Sequence, residues 1–156
     1  MKQLFLSIAL AMTGVSYAQW NTDYYVDDFG DKTNETFYYF DVVGVFTNSA
    51  TTNSDCGFFV KHDDNEESYT ISIYPYNRTS RESWTISTFQ DIKLKKPSGD
   101  VETLSGFCYK KGQVLFSEED YPIFKDAISQ SGEYTFLLNY NGKYSESSYK
   151  FNFTID

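Results

Sequence analysis

The sequence contains one histidine and two cysteines, and it lacks the short motifs that accompany the commonest catalytic sites. It has no Gly-x-Ser-x-Gly nucleophile elbow, no His-Glu-x-x-His zinc motif and no glycine-rich phosphate loop. The single histidine, His62, leaves no second imidazole for a zinc site and no spare base for a nucleophile. We therefore predict no catalytic triad, no cofactor and no metal site, and we interpret His62 as a histidine at the rim of the fold.

Positive charge is also scarce: the chain has 13 Lys and Arg residues and 22 Asp and Glu residues, which gives a formal net charge of -9. This balance argues against nucleic acid or an anionic membrane as the partner. A glycosidase needs only two carboxylates at a set separation, so a small carboxylate-based hydrolase remains an alternative. Five carboxylates between residues 20 and 35 do not have the spacing of a calcium-binding EF-hand loop, and we interpret them as a solvated acidic turn.

Long apolar runs are missing after residue 18. Residues 1–18 combine Lys2, an apolar run from Leu4 to Val15, and small residues at Ser16 and Ala18 that fit a signal-peptidase site. The run is shorter than the roughly 20 residues of a spanning helix. We predict a signal peptide over residues 1–18 and a single domain over residues 19–156. The protein is then exported, periplasmic or secreted, without a transmembrane segment.

The two cysteines are Cys56 and Cys108. In an oxidising compartment an even pair most often forms one disulfide, so we predict a Cys56–Cys108 bridge. A cysteine nucleophile is the weaker interpretation, because export disfavours a free thiol.

Aromatic residues are abundant at 19% of the chain, and 14 tyrosines suit strands that are apolar on the ring and wet at the hydroxyl. Residues 37–46 are almost unbroken in apolar and β-prone side chains, which predicts a central strand covered on both faces.

One helix is predicted at about residues 120–130, with Asp120 as its cap, Pro122 in its first turn and Gly132 at its end. The fold class is mainly β: an antiparallel β-sandwich or partly closed barrel with the helix at an end or edge.

The pair Asn141-Gly142 favours a two-residue type I′ hairpin turn. That turn predicts a final hairpin in which Tyr134 lies opposite Tyr149. Lysines at positions 93, 95, 96, 110 and 111 gather around a second hairpin. We interpret them as a guard against edge-to-edge association of strands, and binding of an anionic partner is the alternative.

Residues 47–55 form a polar stretch without Val, Leu, Ile or an aromatic residue. Its hydroxyl and amide groups can satisfy one another and the backbone, as turns do. Because strong strands flank it, we predict a functional or architectural surface loop rather than a disordered linker. The candidate loop residues are Thr47, Asn48, Ser49, Thr51, Thr52, Asn53 and Ser54.

Two motifs carry a family resemblance. Residues 26–33 read Val-Asp-Asp-Phe-Gly-Asp-Lys-Thr, and residues 44–54 read Gly-Val-Phe-Thr-Asn-Ser-Ala-Thr-Thr-Asn-Ser. They resemble a family of small uncharacterised exported bacterial proteins with Val-Asp-Glu-Phe-Gly-Asp-Pro-Thr and then Gly-x-Phe-Ser-Asn-Ser-Ala-Thr-Thr-Asn-Ser. The resemblance covers roughly residues 20–60 and carries over no catalytic residues. The order of elements is also similar to type VI secretion accessory proteins and invasion-associated locus B proteins.

These observations predict an exported, non-catalytic binding or accessory module whose ligand is a protein or a glycan. Exposed aromatic rings in a shallow groove would favour glycan binding. Two carboxylates across a deep cleft would favour the alternative, a hydrolase such as a glycosidase.

Overall fold

The chain folds into ten strands and one helix in a computed structural model, which describes residues 16–63, 69–75, 88–109, 112–141 and 146–156. The elements are β1 (Ser16–Ala18), β2 (Asn21–Val26), β3 (Lys32–Asn48), β4 (Ser54–Asp63), β5 (Tyr69–Pro75), β6 (Thr88–Lys95), β7 (Val101–Tyr109), β8 (Gln113–Phe116), α1 (Asp120–Ile128), β9 (Gly132–Asn141) and β10 (Glu146–Ile155). The predicted mainly β fold with one helix is confirmed.

The strands close into a barrel. Their order is β1, β10, β9, β6, β7, β8, β5, β4, β3, β2, and a direct pairing of β10 with β3 closes the ring of eight strands from β3 to β10. The pairings within this ring are antiparallel, whereas β1 runs parallel to β10. Of the two predicted architectures, the barrel is the one observed.

The interior of the barrel is filled by aromatic rings. Strands with side chains alternating between two faces place every second residue inside, and the largest buried side chains include Phe40, Phe46, Phe58, Phe136, Phe151, Phe153 and Tyr149. Phe58 lies at the centre of this cluster, with ring centroids 4.7 Å from Phe136 and 4.8 Å from Phe151. An eight-stranded barrel has room inside for side chains or one small ligand, and here side chains take the space.

The predicted coverage of both faces of residues 37–46 is wrong. Phe40, Val42 and Phe46 are buried, but Asp41 and Val43 on the opposite face are exposed. A barrel wall has one solvent face, so the aromatic and β-branched residues on that face remain at the surface.

The helix lies where it was predicted, but its ends differ. Asp120 does not cap it; its Oδ2 instead accepts hydrogen bonds from the Ser105 backbone N–H at 2.8 Å and the Ser117 hydroxyl at 3.0 Å. The Ser117 hydroxyl in turn accepts from the Asp120 N–H at 3.1 Å. The helix ends at Ile128, so Gly132 is not its cap. Gly132 begins β9 at φ +133°, where a Cβ would lie 2.6 Å from Pro97.

The final hairpin keeps the predicted faces but not the predicted register. Residues 142–145, which contain the predicted turn glycine, lie outside the described residues. The pairing Asn141↔Glu146 leaves four residues in the connection, so Tyr134 lies opposite Phe153 and Tyr149 lies opposite Leu138. A shift by four residues preserves the alternation of a strand, which is why Tyr134 and Tyr149 are both still buried.

Candidate functional site

A row of aromatic side chains crosses the outer face of β2, β3, β4 and β5. We name it the outer aromatic strip; its members are Tyr25, Phe37, Tyr39, Phe59 and Tyr74, all half-buried. Ring centroids are 5.0 Å apart for Tyr25 and Phe37, 5.9 Å for Phe37 and Tyr39, and 5.4 Å for Tyr39 and Phe59. These separations fall within the range of favourable aromatic pairs. The first four rings therefore support one another in a continuous, partly exposed apolar surface.

The strip ends in an open groove of about 260 Å³, lined by Asp41, Gly57, Phe58, Phe59 and Tyr74. The register explains it: Asp41 lies opposite Phe59, and Gly57 lies opposite Tyr74. Since Gly57 has no side chain, the outer face has a gap between the Phe59 and Tyr74 rings. The exposed Asp41 carboxylate, which accepts hydrogen bonds only, stands at the edge of this gap.

A polar network fixes the other end of the strip. The Tyr25 hydroxyl donates to Asp63 Oδ1 at 2.5 Å, Lys61 Nζ donates to the Tyr25 hydroxyl, and Lys61 Nζ lies 3.3 Å from Asp63 Oδ1. The same ammonium lies 4.3 Å from the Tyr25 ring centroid and 5.0 Å from that of Phe37, within cation–π range.

The titration of both groups reflects this network. Burial and the neighbouring Asp63 raise the pKa of Tyr25. Burial alone would lower the pKa of Lys61, but hydrogen bonds to Tyr25 and Asp63 outweigh it and raise the pKa. Both groups therefore keep their protons at neutral pH, and Lys61 stays positive beside two rings.

His62 lies on the other face of β4, stacked between two tyrosine rings. Its ring centroid is 4.7 Å from that of Tyr69 and 6.5 Å from that of Tyr38. Its Nδ1 is buried and makes no hydrogen bond within the described part of the chain. No group of three or more His, Cys, Asp or Glu side chains able to hold a metal ion occurs among the described residues.

The acidic stretch after β2 is a tight turn. Asp27 Oδ1 accepts from the backbone N–H of Phe29 at 2.9 Å and of Asp31 at 3.0 Å, and Gly30 adopts φ +86°. The Asp27 carboxylate thus caps the backbone of its own turn. Phe29 at the tip is 91% exposed.

The predicted surface loop is an ordered hairpin turn, narrower than predicted. Thr47 and Asn48 end β3, and Ser54 begins β4, so only residues 49–53 lie between the strands. Asn48 Oδ1 accepts from the N–H of Ala50 at 2.9 Å and of Thr51 at 3.0 Å. Thr47 Oγ1 accepts from the Asn53 N–H at 3.1 Å, and the Thr51 and Ser54 hydroxyls are hydrogen-bonded to each other. The polar groups do satisfy one another, whereas a role for this loop in binding stays a prediction.

The predicted Cys56–Cys108 bridge is not present in the structure, where both cysteines are free and fully buried. Cys56 lies on β4 and Cys108 on β7, and both β5 and β8 stand between them. Three interstrand steps of about 4.8 Å around the wall exceed the roughly 7 Å between Cα atoms that a disulfide spans. The even number of cysteines indicated a bridge, but the strand order separates the two thiols.

Both thiols should resist a soluble alkylating reagent in the folded protein and react fully on denaturation without a reductant. Burial raises the pKa of Cys56 and of Cys108 to about 12, with Asp55 adding to the shift at Cys56. Little reactive thiolate therefore exists in the folded state. Mass spectrometry after alkylation in denaturant, with and without prior reduction, checks this. Modification that requires the reductant would instead indicate a disulfide.

The same shift gives stability a pH dependence. An unfolded thiol ionises near pH 9, whereas the folded thiols stay protonated to about pH 12, so the folded state binds more protons between these values. Stability is then fully present below about pH 9 and falls as the pH rises towards 12.

The lysines at positions 93 and 95 do not guard an edge. They lie on β6, which pairs with β7 on one side and β9 on the other. Lys96 pairs with Glu102 at 2.6 Å, and residues 110–111 lie outside the described residues. The guard interpretation is therefore wrong for Lys93 and Lys95, which face solvent from an inner strand.

Residues 1–15 of the predicted signal peptide lie outside the described residues, while residues 16–18 form β1. Within the part of the chain that is described, no helix is long and apolar enough to span a membrane.

No protein-family model, curated protein or solved structure matches this chain. The candidate site therefore depends on its geometry alone. The sequence analysis predicted a role for the polar loop and did not predict the strip. The signal for the strip was the pair of aromatic residues at alternate positions 37 and 39, with a further aromatic residue at position 59 on the next strand.

Proposed function

We propose that the protein is an exported, non-catalytic binding module, and that the outer aromatic strip with its groove binds a glycan. The observation that carries the proposal is the groove beside Phe59 and Tyr74 with the Asp41 carboxylate at its edge. A sugar ring has apolar C–H faces and a rim of hydroxyl donors. Aromatic rings suit the faces, and a carboxylate that only accepts hydrogen bonds suits the hydroxyls.

Rigidity of the strip supports the same conclusion. Tyr39 and Phe59 are stacked with ring centroids 5.4 Å apart and an angle of 27° between their planes, so each ring restrains the other before any ligand arrives. Lys61 lies over the rings of Tyr25 and Phe37, and its contacts with Tyr25 and Asp63 fix it there. A preformed surface loses little conformational entropy on binding.

The alternative functions are a protein ligand at the same strip and a carboxylate-based hydrolase. A glycosidase needs a second carboxylate within about 5–10 Å of the first, across the bound sugar. The described lining of the groove contains one carboxylate, Asp41. This favours binding over hydrolysis.

Replacing Phe59 with alanine should weaken glycan binding at least about tenfold, because a central aromatic side chain commonly supplies more than about 1.4 kcal/mol of binding free energy. The mature protein would be screened on a glycan array, and the affinity of a binding glycan would then be measured by calorimetry. Leu115→Ala is the matched control, since Leu115 is 40% exposed on β8, outside the groove.

The two alternatives give different results. A hydrolase would release shorter sugars from the bound glycan and lose that activity in Asp41→Asn. A protein ligand would leave the array blank, while Phe59→Ala would reduce capture of a defined envelope protein. Equal affinity of Phe59→Ala and the unmodified protein for the glycan would contradict the proposal.

A further inference from the structure

The barrel is not closed along its whole height between β3 and β10. These strands pair directly only over Val45–Asn48 and Ser147–Lys150. Beyond that point the first half of β3 pairs with β2, and the second half of β10 pairs with β1. The segment from Ser16 to Val26 therefore lies between β3 and β10 where these strands separate. Its first residues pair with β10, and its last residues pair with β3.

Residues 16–18 cover the open part of β10. The register is parallel, with Ser16↔Phe153, Tyr17↔Thr154 and Ala18↔Ile155. Ala18 is 2% exposed and faces the core beside Phe153 and Ile155, whereas Tyr17 on the outer face is 75% exposed. The position of Ala18 therefore accepts a small side chain, and the position of Tyr17 accepts a large one.

Cleavage after Ala18 would remove this cover. The edge of β10 at residues 153–155 would lose its neighbouring strand, and the Phe153 and Ile155 side chains would lose a packing partner. Trp20 follows the cleavage point, and its ring is held edge-on against Phe40 with the centroids 4.8 Å apart. The new N-terminus would thus stay beside the opened edge rather than fold back over it.

We propose that the mature protein accepts an extended segment of a partner protein at the edge of β10 that residues 16–18 occupy before processing. The segment adds as a short strand parallel to β10, with a small residue opposite Ile155 and an unrestricted residue opposite Thr154. Unpaired strand edges are ready templates for such addition, with backbone hydrogen bonds giving affinity and alternate side chains giving specificity. The inference depends on export with cleavage after Ala18, and it is independent of glycan binding by the strip.

The test uses the processed protein starting at Gln19 and a synthetic peptide with the sequence of residues 13–18, Thr-Gly-Val-Ser-Tyr-Ala. We expect the peptide to bind and to shift the backbone amide resonances of residues 153–155. A peptide carrying A18W should bind at least tenfold more weakly, because tryptophan cannot enter the buried position. The unprocessed chain, whose own residues 16–18 fill the edge, should not bind the peptide.

If the processed form does not fold alone, a variant of the unprocessed chain provides the same test. In the unprocessed chain the substitution Ala18→Trp should expel β1 and restore peptide binding. Absence of binding to both proteins, or equal binding of the A18W peptide, would overturn the proposal. So would an exported protein that retains residues 16–18, or a dimer of the processed form formed through residues 153–155. Glycan binding measured on the same samples separates these outcomes from failure of the proposed function.

Discussion

Replacing Gly44 with valine should prevent stable folding. Gly44 lies on β3 inside the barrel wall, and a Cβ placed there would lie 2.2 Å from Cδ1 of Phe151 and 2.3 Å from the carbonyl oxygen of Lys150. The second contact is with backbone of β10, so a rotamer change cannot relieve it. Overpacking a core costs about 1–3 kcal/mol and more where the backbone must move, a large part of the roughly 5–15 kcal/mol that stabilises a domain.

Circular dichroism during urea unfolding checks this expectation. Val43→Ala is the matched control, since Val43 precedes Gly44 on the same strand and is 36% exposed on the outer face. We expect Val43→Ala to cost about 1 kcal/mol or less. A Gly44→Val protein as stable as this control would mean that β3 and β10 do not meet where the barrel closes.

Replacing Phe58 with alanine should lower the free energy of unfolding by about 3–5 kcal/mol, the usual cost of removing a buried phenylalanine side chain. Phe58 is 1% exposed, and its ring touches the rings of Phe136 and Phe151 at the centre of the interior. Strands close by cannot collapse freely into the space, because they belong to a closed ring.

The adjacent Phe59 provides an unusually direct control for Phe58→Ala. The two residues have the same side chain and neighbouring positions on β4, but Phe59 faces outwards and is half-buried. We expect Phe59→Ala to cost less than half as much in stability, while it weakens ligand binding. Equal stability costs for the two substitutions would contradict the division of β4 into an inner and an outer face.

The sequence predicted the fold class because the alternation of apolar and polar residues along each strand can be read directly from the order of the residues. Burial of Tyr134, Phe136 and Leu138 on one face of β9 follows from their spacing. The register of the same hairpin did not follow, because Tyr134 meets core partners whether it faces Tyr149 or Phe153. Alternation fixes which face a residue takes, but a shift by an even number of residues leaves the faces unchanged.

Long-range strand order was the part that the sequence did not reveal. The bridge between Cys56 and Cys108 was predicted from an even cysteine count, and the structure places two strands between them. Similarly, aromatic residues on both faces of β3 indicated a strand covered on both sides. Only the closure of β3 onto β10 shows that one of those faces is the outer wall of a barrel.

In the candidate site, one part follows from the local sequence and the other depends on long-range strand pairing. The local sequence predicted that the hydroxyl and amide groups of residues 47–55 hydrogen-bond to one another and to the backbone, and they do. The groove, in contrast, needs Asp41 on β3, Gly57 on β4 and Tyr74 on β5 side by side, and this depends on the registers of two strand pairings. A site assembled across strands has no motif of its own in the chain.

Mapping a bound glycan onto the backbone by nuclear magnetic resonance tests the central claim most directly. In the mature, isotopically labelled protein, we expect a glycan selected on the array to shift the amide resonances of Asp41, Gly57 and Phe59 and to leave the resonances of interior residues such as Phe136 little changed. Shifts confined to the loop at residues 49–53, or to residues lining the barrel interior, would contradict the assignment of the outer aromatic strip as the binding site.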